Sequence, residues 1–214
     1  MSLNPVTIRR IRVLDGVYFS FRLLEHHYTA MYQACAAIST DRTQLIAALA
    51  SCWGFIDVLH RLRELAQTIP GLSGKNPERE RFLEHTDLAE TYRHYIQHLR
   101  EELGAIQPKP SPVWWSLSWV DQHDPELSHT VMIGAHLPNS TYTSAVYDSV
   151  ERRWVSRVTL GVGETSFNFD PIFEEAMVFE KFVIPWMIAQ DTDVLTISSD
   201  LPIFSMRFGI GNRA

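Results

Sequence analysis

The chain has 214 residues, a formal net charge of -6 and a hydrophobic fraction of 45%. These values predict a folded protein with a sizeable core and exclude a disordered chain or a fibrous repeat. The negative charge lies in the second half, because residues 1–107 carry 12 basic and 12 acidic side chains whereas residues 108–214 carry 7 and 13. Neither half is polybasic, which disfavours tight non-specific binding to long nucleic acids but leaves RNA contacts by a few arginines open.

The first half is dominated by helical periodicity. Apolar residues recur at alternating steps of four and three between residues 17 and 38, and again between 45 and 69, as in helices buried along one side. A third helix is predicted to begin after Asn76 and Pro77 and to run to Gly104. Three such helices predict an up-and-down bundle over residues 1–107. Residues 6–14 look strand-like and are expected to pair with the C-terminal sheet.

A proline-rich connector, residues 107–112, separates the bundle from a second part in which apolar residues alternate with period two. This part, residues 113–214, is predicted to be β-rich with one helix at about 171–188. Pro185 is expected to kink this helix or to end it. Strands are predicted at residues 113–119, 131–137, 144–147, 154–162, 165–169, 194–197 and 204–210. The predicted class is therefore α+β: a helical bundle followed by a mainly antiparallel sheet with one embedded helix.

The expected location follows from what the sequence lacks. No apolar run approaches the roughly 18 residues that span a bilayer, and no basic and then apolar leader opens the chain. The two cysteines, Cys35 and Cys52, allow one disulfide bond at most, and both fall on predicted core stripes. The sequence thus predicts a cytoplasmic protein that has no membrane partner and whose cysteines are buried.

The polar side of the third predicted helix carries the residues best suited to chemistry. On a helical wheel, Arg93, His94 and His98 lie opposite a core stripe that contains Tyr92. A polar side is ordinary for a solvated helix, but two histidines and an arginine stand here where most surfaces carry lysine and glutamate. Imidazole exchanges protons near neutral pH, and a guanidinium group binds phosphate through paired donors. We call this predicted functional surface the Arg93/His94/His98 face.

The run from Arg93 to His98 also resembles a known motif. It places an arginine, a polar residue, three further residues and a histidine in order, which is the signature of the HEPN superfamily of helical bundles. The resemblance covers about residues 15–104, where the preceding long helices and the Pro70-Gly71 boundary also fit the layout of that family. No family resemblance is found for the half that follows the connector.

The resemblance implies a metal-independent endoribonuclease of the toxin or defence type. In active HEPN proteins, two motif helices meet across a homodimer and form one composite site. By this resemblance His98 would be the acid or base, Arg93 would stabilise charge on the phosphate, and His94 would orient the substrate or share the proton transfer. The expected partners are then a second copy of the chain, bound through the Arg93/His94/His98 face, and RNA.

Two other functions stay open. Many HEPN proteins cleave nothing, so the first alternative is a non-catalytic dimerising or regulatory module that binds a protein partner. The second is a metal-binding helical bundle, because His94 and His98 are spaced i,i+4 and Glu90 lies one turn earlier. Further ligands would have to come from elsewhere, and the candidates are His26, His27 and His85. No metal or cofactor is predicted, since no HExxH pattern and no complete phosphate loop is present.

Overall fold

A computed structural model describes residues 4–104, 112–135, 137–140, 142–162 and 165–190. Within these residues the helical region comes first and the strands follow, before a last long helix. The helices are α1 (Pro5–Ala37), α2 (Gln44–Ala66), α3 (Pro77–His85), α4 (Leu88–Gln97), α5 (Leu99–Leu103) and α6 (Phe169–Ala189). The strands are β1 (Ser116–Val120), β2 (Ser128–Met132), β3 (Tyr147–Asp148), β4 (Arg153–Trp154), β5 (Val158–Val162) and β6 (Thr165–Asn168).

The sheet confirms the predicted α+β class. Four strands pair in the order β2-β1-β5-β6, and every neighbouring pair is antiparallel. The first strand begins at Ser116 and not at residue 113, because Trp115 adopts a positive φ of 71° after a turn and cannot continue an extended strand. The strand predicted at 131–137 lies at Ser128–Met132, and β3 and β4 form a separate hairpin. The strands predicted at 194–197 and 204–210 fall outside the described residues.

The strand predicted for residues 6–14 is wrong, because this segment is the start of α1. Asn4 caps the helix by accepting a hydrogen bond from the Val6 amide at 3.0 Å, and Pro5 occupies the first helical position. The apolar spacing also continues through it, since Leu14 is fully buried in line with Val17. The chain therefore enters as one long helix of 33 residues, and the N-terminal segment does not join the sheet.

The third predicted helix is broken into α3, α4 and α5. At the first break, Thr86 leaves the helical conformation with a φ of -116°, and its hydroxyl donates to the Phe82 carbonyl at 2.6 Å. The buried Arg63 of α2 donates to the next carbonyl, that of Leu83, and to the Thr86 hydroxyl. Side chains thus satisfy carbonyls that the end of a helix leaves free. The second break lies at His98, which has a φ of -104°.

One hydrophobic core extends across the connector. Trp115, which precedes β1, packs its ring 5.1 Å from Trp53 of α2 and 4.8 Å from Tyr92 of α4. Phe179 of α6 stacks on Phe82 of α3 at 4.4 Å with an interplanar angle of 7°. The helix predicted at about 171–188 is therefore a core helix that packs against the bundle, and it continues past Pro185 to Ala189.

The second helix has the composition of a core helix and of a membrane span alike. The segment Gln44–Ala66 is long enough to cross a bilayer, and its most apolar window has a mean hydropathy of 1.4. In the fold, 44% of that window is buried inside the protein. Cys35 and Cys52 are buried as predicted, and burial raises the pKa of Cys35 to about 12, so the described thiols act as small apolar side chains.

Candidate functional site

Tyr92 fixes α4 against the sheet and so determines where the predicted site residues point. Its side chain is buried, and its hydroxyl donates to the carbonyl oxygens of Leu160 at 3.1 Å and Thr165 at 3.2 Å. This anchor leaves the following residue, Arg93, beside α2, and the residue after that, His94, exposed to solvent.

Arg93 is held by two residues of α2. Its Nε donates to Oδ1 of Asp57 at 3.2 Å, and its Nη1 lies 3.2 Å from Nδ1 and 3.4 Å from Nε2 of His60, so it can donate to whichever ring nitrogen carries no proton. The Arg93 side chain is 23% exposed. Its Nη2 has no hydrogen-bond partner within the described part of the chain. Arg93 is therefore oriented by α2 while one edge of its guanidinium stays available.

His94 and His98 form a pair of adjacent, tilted imidazoles at the end of α4. Their ring centroids are 4.2 Å apart with an interplanar angle of 35°. His94 is exposed, the His98 side chain is 41% exposed, and Nδ1 of His98 lies 3.2 Å from Oε2 of Glu101. The break at His98 places this residue at the junction of α4 and α5. The structure thus brings two proton-transfer groups together on an open surface.

An open cavity of about 440 Å³ lies beside His94, and it is lined by His60, Glu90, Thr91, His94 and Gln97. Burial and the adjacent Arg93 guanidinium lower the pKa of His60, which keeps its ring neutral and able to accept from Arg93. The hydrogen bond from Arg63 lowers the pKa of Glu90 and holds it as a carboxylate, at 2.8 Å from Nη2 of Arg63. The cavity wall therefore combines neutral imidazole, carboxylate and amide groups.

Sequence reasoning missed Asp57 and His60, which hold Arg93 in place. Both belong to a polar stripe on α2 that continues through Arg61 and Glu64 at helical spacing. In a helix that is otherwise apolar, such a stripe marks the side that faces water or a polar neighbour. The stripe was visible in the sequence, but the pairing of this side with Arg93 depends on how α2 and α4 pack.

The metal-ligand candidates are not gathered. Among the described residues, no group of three or more His, Cys, Asp or Glu side chains could hold a metal ion. Glu90 is bound to Arg63, and His85 contacts Glu175 with its Nδ1 at 3.1 Å. His27 packs over Gly54, where a methyl group would overlap its ring, and burial lowers its pKa. His26 lies on the exposed side of α1.

No protein-family model, no curated protein and no solved structure matches the chain. The resemblance to HEPN proteins therefore depends on the spacing from Arg93 to His98 and on the order of the helices.

Proposed function

We propose that this protein is a HEPN-like endoribonuclease of the toxin or defence type, which acts in the cytoplasm without a metal through a site formed by two copies of the chain. One observation carries the proposal. The imidazoles of His94 and His98 lie 4.2 Å apart at the exposed end of α4, and Arg93, the residue before His94, keeps its Nη2 open. Six consecutive residues thus supply two proton-transfer groups and a phosphate-binding cation.

These groups suit cleavage of RNA by its own 2′-hydroxyl. One histidine takes the proton of the 2′-hydroxyl as O2′ bonds to phosphorus, and a second histidine donates a proton to the leaving O5′ as the P–O5′ bond breaks. The products are a 2′,3′-cyclic phosphate and a 5′-hydroxyl, so no water or metal enters the first step. Arg93 stabilises the charge that grows on the phosphate oxygens through Nη2.

The directions of the side chains favour a site made by two copies. Arg93 is turned toward Asp57 and His60 on α2, whereas His98 lies at the end of α4 beside Glu101. A single copy therefore offers its arginine and His98 in different directions. A second copy packed against the Arg93/His94/His98 face would supply the missing half for each, as in the composite sites that the resemblance implies.

Incubation with RNA in the presence of EDTA tests the proposal. We expect the wild-type protein to cleave RNA and to leave 2′,3′-cyclic phosphate ends, and we expect His98→Ala and Arg93→Ala to lower the rate about a hundredfold or more. Arg12→Ala on α1 and His123→Ala in the β1–β2 connection are the matched controls, because both residues are exposed and lie on elements other than α4 and α5. These two variants should keep the wild-type rate.

Cleavage that never occurs, or that persists in both His98→Ala and Arg93→Ala, would contradict the proposal. Light scattering coupled to size exclusion tests the composite site separately. We expect a dimer, and full activity in a strict monomer would remove the second copy from the mechanism.

A second candidate is a non-catalytic module that dimerises or binds a protein partner through the same face. The observation that favours it is the engagement of Arg93, whose Nε and Nη1 both contact α2. An arginine held in this way serves packing between helices as well as phosphate binding. A dimer that forms through the face and never cleaves RNA would support this candidate over the first.

A further inference from the structure

A second cavity lies away from the Arg93/His94/His98 face, between the β3–β4 hairpin and the first turns of α6. Its volume is about 690 Å³, which is in the range of sites for small organic ligands. Three arginines line it: Arg152 and Arg153 of the hairpin, and Arg157 before β5. Arg152 lies in the turn that joins β3 to β4, and Arg153 is the first residue of β4.

The guanidinium groups of these arginines are available to a ligand. None of the three donates a hydrogen bond or forms an ion pair through its side chain within the described residues. The Arg157 guanidinium lies over the ring of Tyr32 at 5.9 Å from its centroid, which orients it without neutralising it. Arg152 adopts a positive φ of 52°, so the turn holds its backbone in a conformation that few side chains adopt. Arg153 attracts the carboxylate of Asp148, its partner across the hairpin, and the cavity therefore presents three arginines whose side chains keep their hydrogen-bond donors open.

Two aromatic rings stand beside these cations. Trp154 and Tyr147 pair across the hairpin with their centroids 5.2 Å apart and nearly perpendicular. The indole is fixed by a hydrogen bond from Nε1 to the Pro125 carbonyl at 2.7 Å, and the Tyr147 ring is 50% exposed. A flat ligand can stack on such a ring at low entropic cost because the ring is already oriented.

Two carboxylates of the cavity accept hydrogen bonds from the protein, and two do not within the described residues. Asp170 accepts hydrogen bonds from the hydroxyls of Tyr28 and Tyr32 and from the Arg157 amide. Asp148 accepts from the amides of the hairpin turn, at residues 150 and 151, which lowers its pKa. The remaining two, Glu126 and Glu174, form no hydrogen bond through their carboxylates within the described residues. They are therefore open to a donor on a ligand, such as an exocyclic amino group.

We propose that this cavity binds a ligand that joins a planar aromatic ring to a phosphate, the chemistry of a nucleotide, either free or within a single-stranded nucleic acid. The phosphate lies between Arg152 and Arg153, the ring stacks on Tyr147, and an open carboxylate accepts from the amino group of the base. This binding site is independent of the Arg93/His94/His98 face. Its ligand would be recognised whether or not the protein cleaves RNA.

Isothermal titration calorimetry with four probes tests the site: adenosine monophosphate, adenosine, inorganic phosphate and a decamer of deoxyadenylate. The decamer lacks 2′-hydroxyl groups, so it binds without being cleaved through them. We expect the monophosphate or the decamer to bind at least about tenfold more tightly than adenosine or phosphate alone. Tighter binding of the decamer assigns the site to a strand, and tighter binding of the monophosphate assigns it to a free nucleotide.

Two variants separate the contacts. Arg152→Gln combined with Arg153→Gln should weaken binding of the nucleotide about tenfold or more, because it removes the phosphate contacts. Tyr147→Leu should lower the preference for the monophosphate over inorganic phosphate. The matched control is Arg9→Gln combined with Arg12→Gln, which removes the same charge from exposed positions of α1. These positions lie at least 20 residues before Tyr32 in that helix, and so about 30 Å along its axis from the cavity.

Three results would overturn the proposal. The first is no binding of the monophosphate or of the decamer at millimolar concentration. The second is equal binding by the Arg152/Arg153 double variant, provided that its circular dichroism matches that of the wild-type protein. The third is equal binding of phosphate and the monophosphate, which would remove the aromatic ring from the recognised ligand.

Discussion

His60 shows how the environment of one residue connects the site to the stability of the fold. Its ring accepts hydrogen bonds from Nη1 of Arg93, and it also faces Arg63 and the carboxylates of Glu64 and Glu90. Burial and Arg93 lower its pKa from the ordinary value of 6.5, and they outweigh the two carboxylates, which act in the opposite direction. The folded protein therefore favours neutral His60. In the unfolded chain, this residue takes up its proton with the ordinary pKa of 6.5.

This difference predicts that the protein loses stability in mild acid. As the pH falls through 6.5 toward the lowered pKa of the folded state, the unfolded chain takes up the proton first, so the free energy of unfolding decreases. The contribution of His60 is complete above 6.5. In His60→Gln, which keeps an acceptor for Arg93 but cannot be protonated, we expect a shallower decrease between about pH 7.5 and 5.5 in urea unfolding.

The control for this prediction is His123→Gln, which removes one imidazole at an exposed turn. It should follow the wild-type curve. Equal slopes for the wild-type protein and His60→Gln would show that Arg93 does not hold His60 in its neutral form.

At the scale of elements, the break between α3 and α4 depends on a residue of another helix. Arg63 of α2 is buried and donates to the Leu83 carbonyl, to the Thr86 hydroxyl at 2.7 Å and to Glu90 at 2.8 Å. These contacts connect the end of α3 and the start of α4 to α2. The orientation of α4, and with it of Arg93, therefore depends on this buried guanidinium as well as on the anchor at Tyr92.

We expect Arg63→Met to lower the free energy of unfolding by about 2–4 kcal/mol, because it leaves buried polar partners without their donor. Arg61→Met, two residues earlier, is the matched control. The Arg61 side chain is 62% exposed and its partner Asp57 is accessible, so its loss should cost less than about 1 kcal/mol. Urea unfolding followed by circular dichroism gives both values. Similar losses in the two variants would mean that the break between α3 and α4 forms without Arg63.

At the scale of the whole molecule, the helices and the sheet are predicted to unfold together. Their core is shared, with Trp115 packed on Trp53 and Tyr92, and with the hydroxyl of Tyr92 bonded to β5. We expect one urea transition, at the same midpoint by circular dichroism and by tryptophan fluorescence. Tyr92→Phe should move both midpoints down together, at a cost of about 1 kcal/mol for the lost hydrogen bonds. Two separate midpoints in the wild-type protein would contradict a common core.

Much of this fold can be predicted because the relevant signals are local. The alternating stripe of α1 and α2 correctly identifies buried side chains such as Val17, Phe21 and Leu59, since burial of one side of a helix needs no knowledge of the partner. Residues 6–14 could not be assigned correctly by the same means. Branched residues such as Val6 and Ile8 favour strands. The helix is favoured by the N-cap Asn4, which lies before this segment.

The site shows the same limit. Arg93, His94 and His98 are neighbours in the sequence, and the structure keeps both histidines on an exposed surface as the helical wheel predicts. The contacts of Arg93 with Asp57 and His60 join residues more than thirty positions apart. Neither these contacts nor the cavity beneath the β3–β4 hairpin has a local signature, since both depend on how separate elements pack.

The core across the connector has a consequence for synthesis of the chain. Phe82 stacks on Phe179, and Trp53 packs at a tilt against Trp115, so these partners of the bundle lie 97 and 62 residues later in the sequence. At a synthesis rate of about 5–20 residues per second, roughly 3 to 20 seconds pass before the residues that pack against this apolar side of the bundle have been made. During that interval the unfinished chain exposes aromatic side chains to its neighbours, and it is then that the protein is most prone to aggregate.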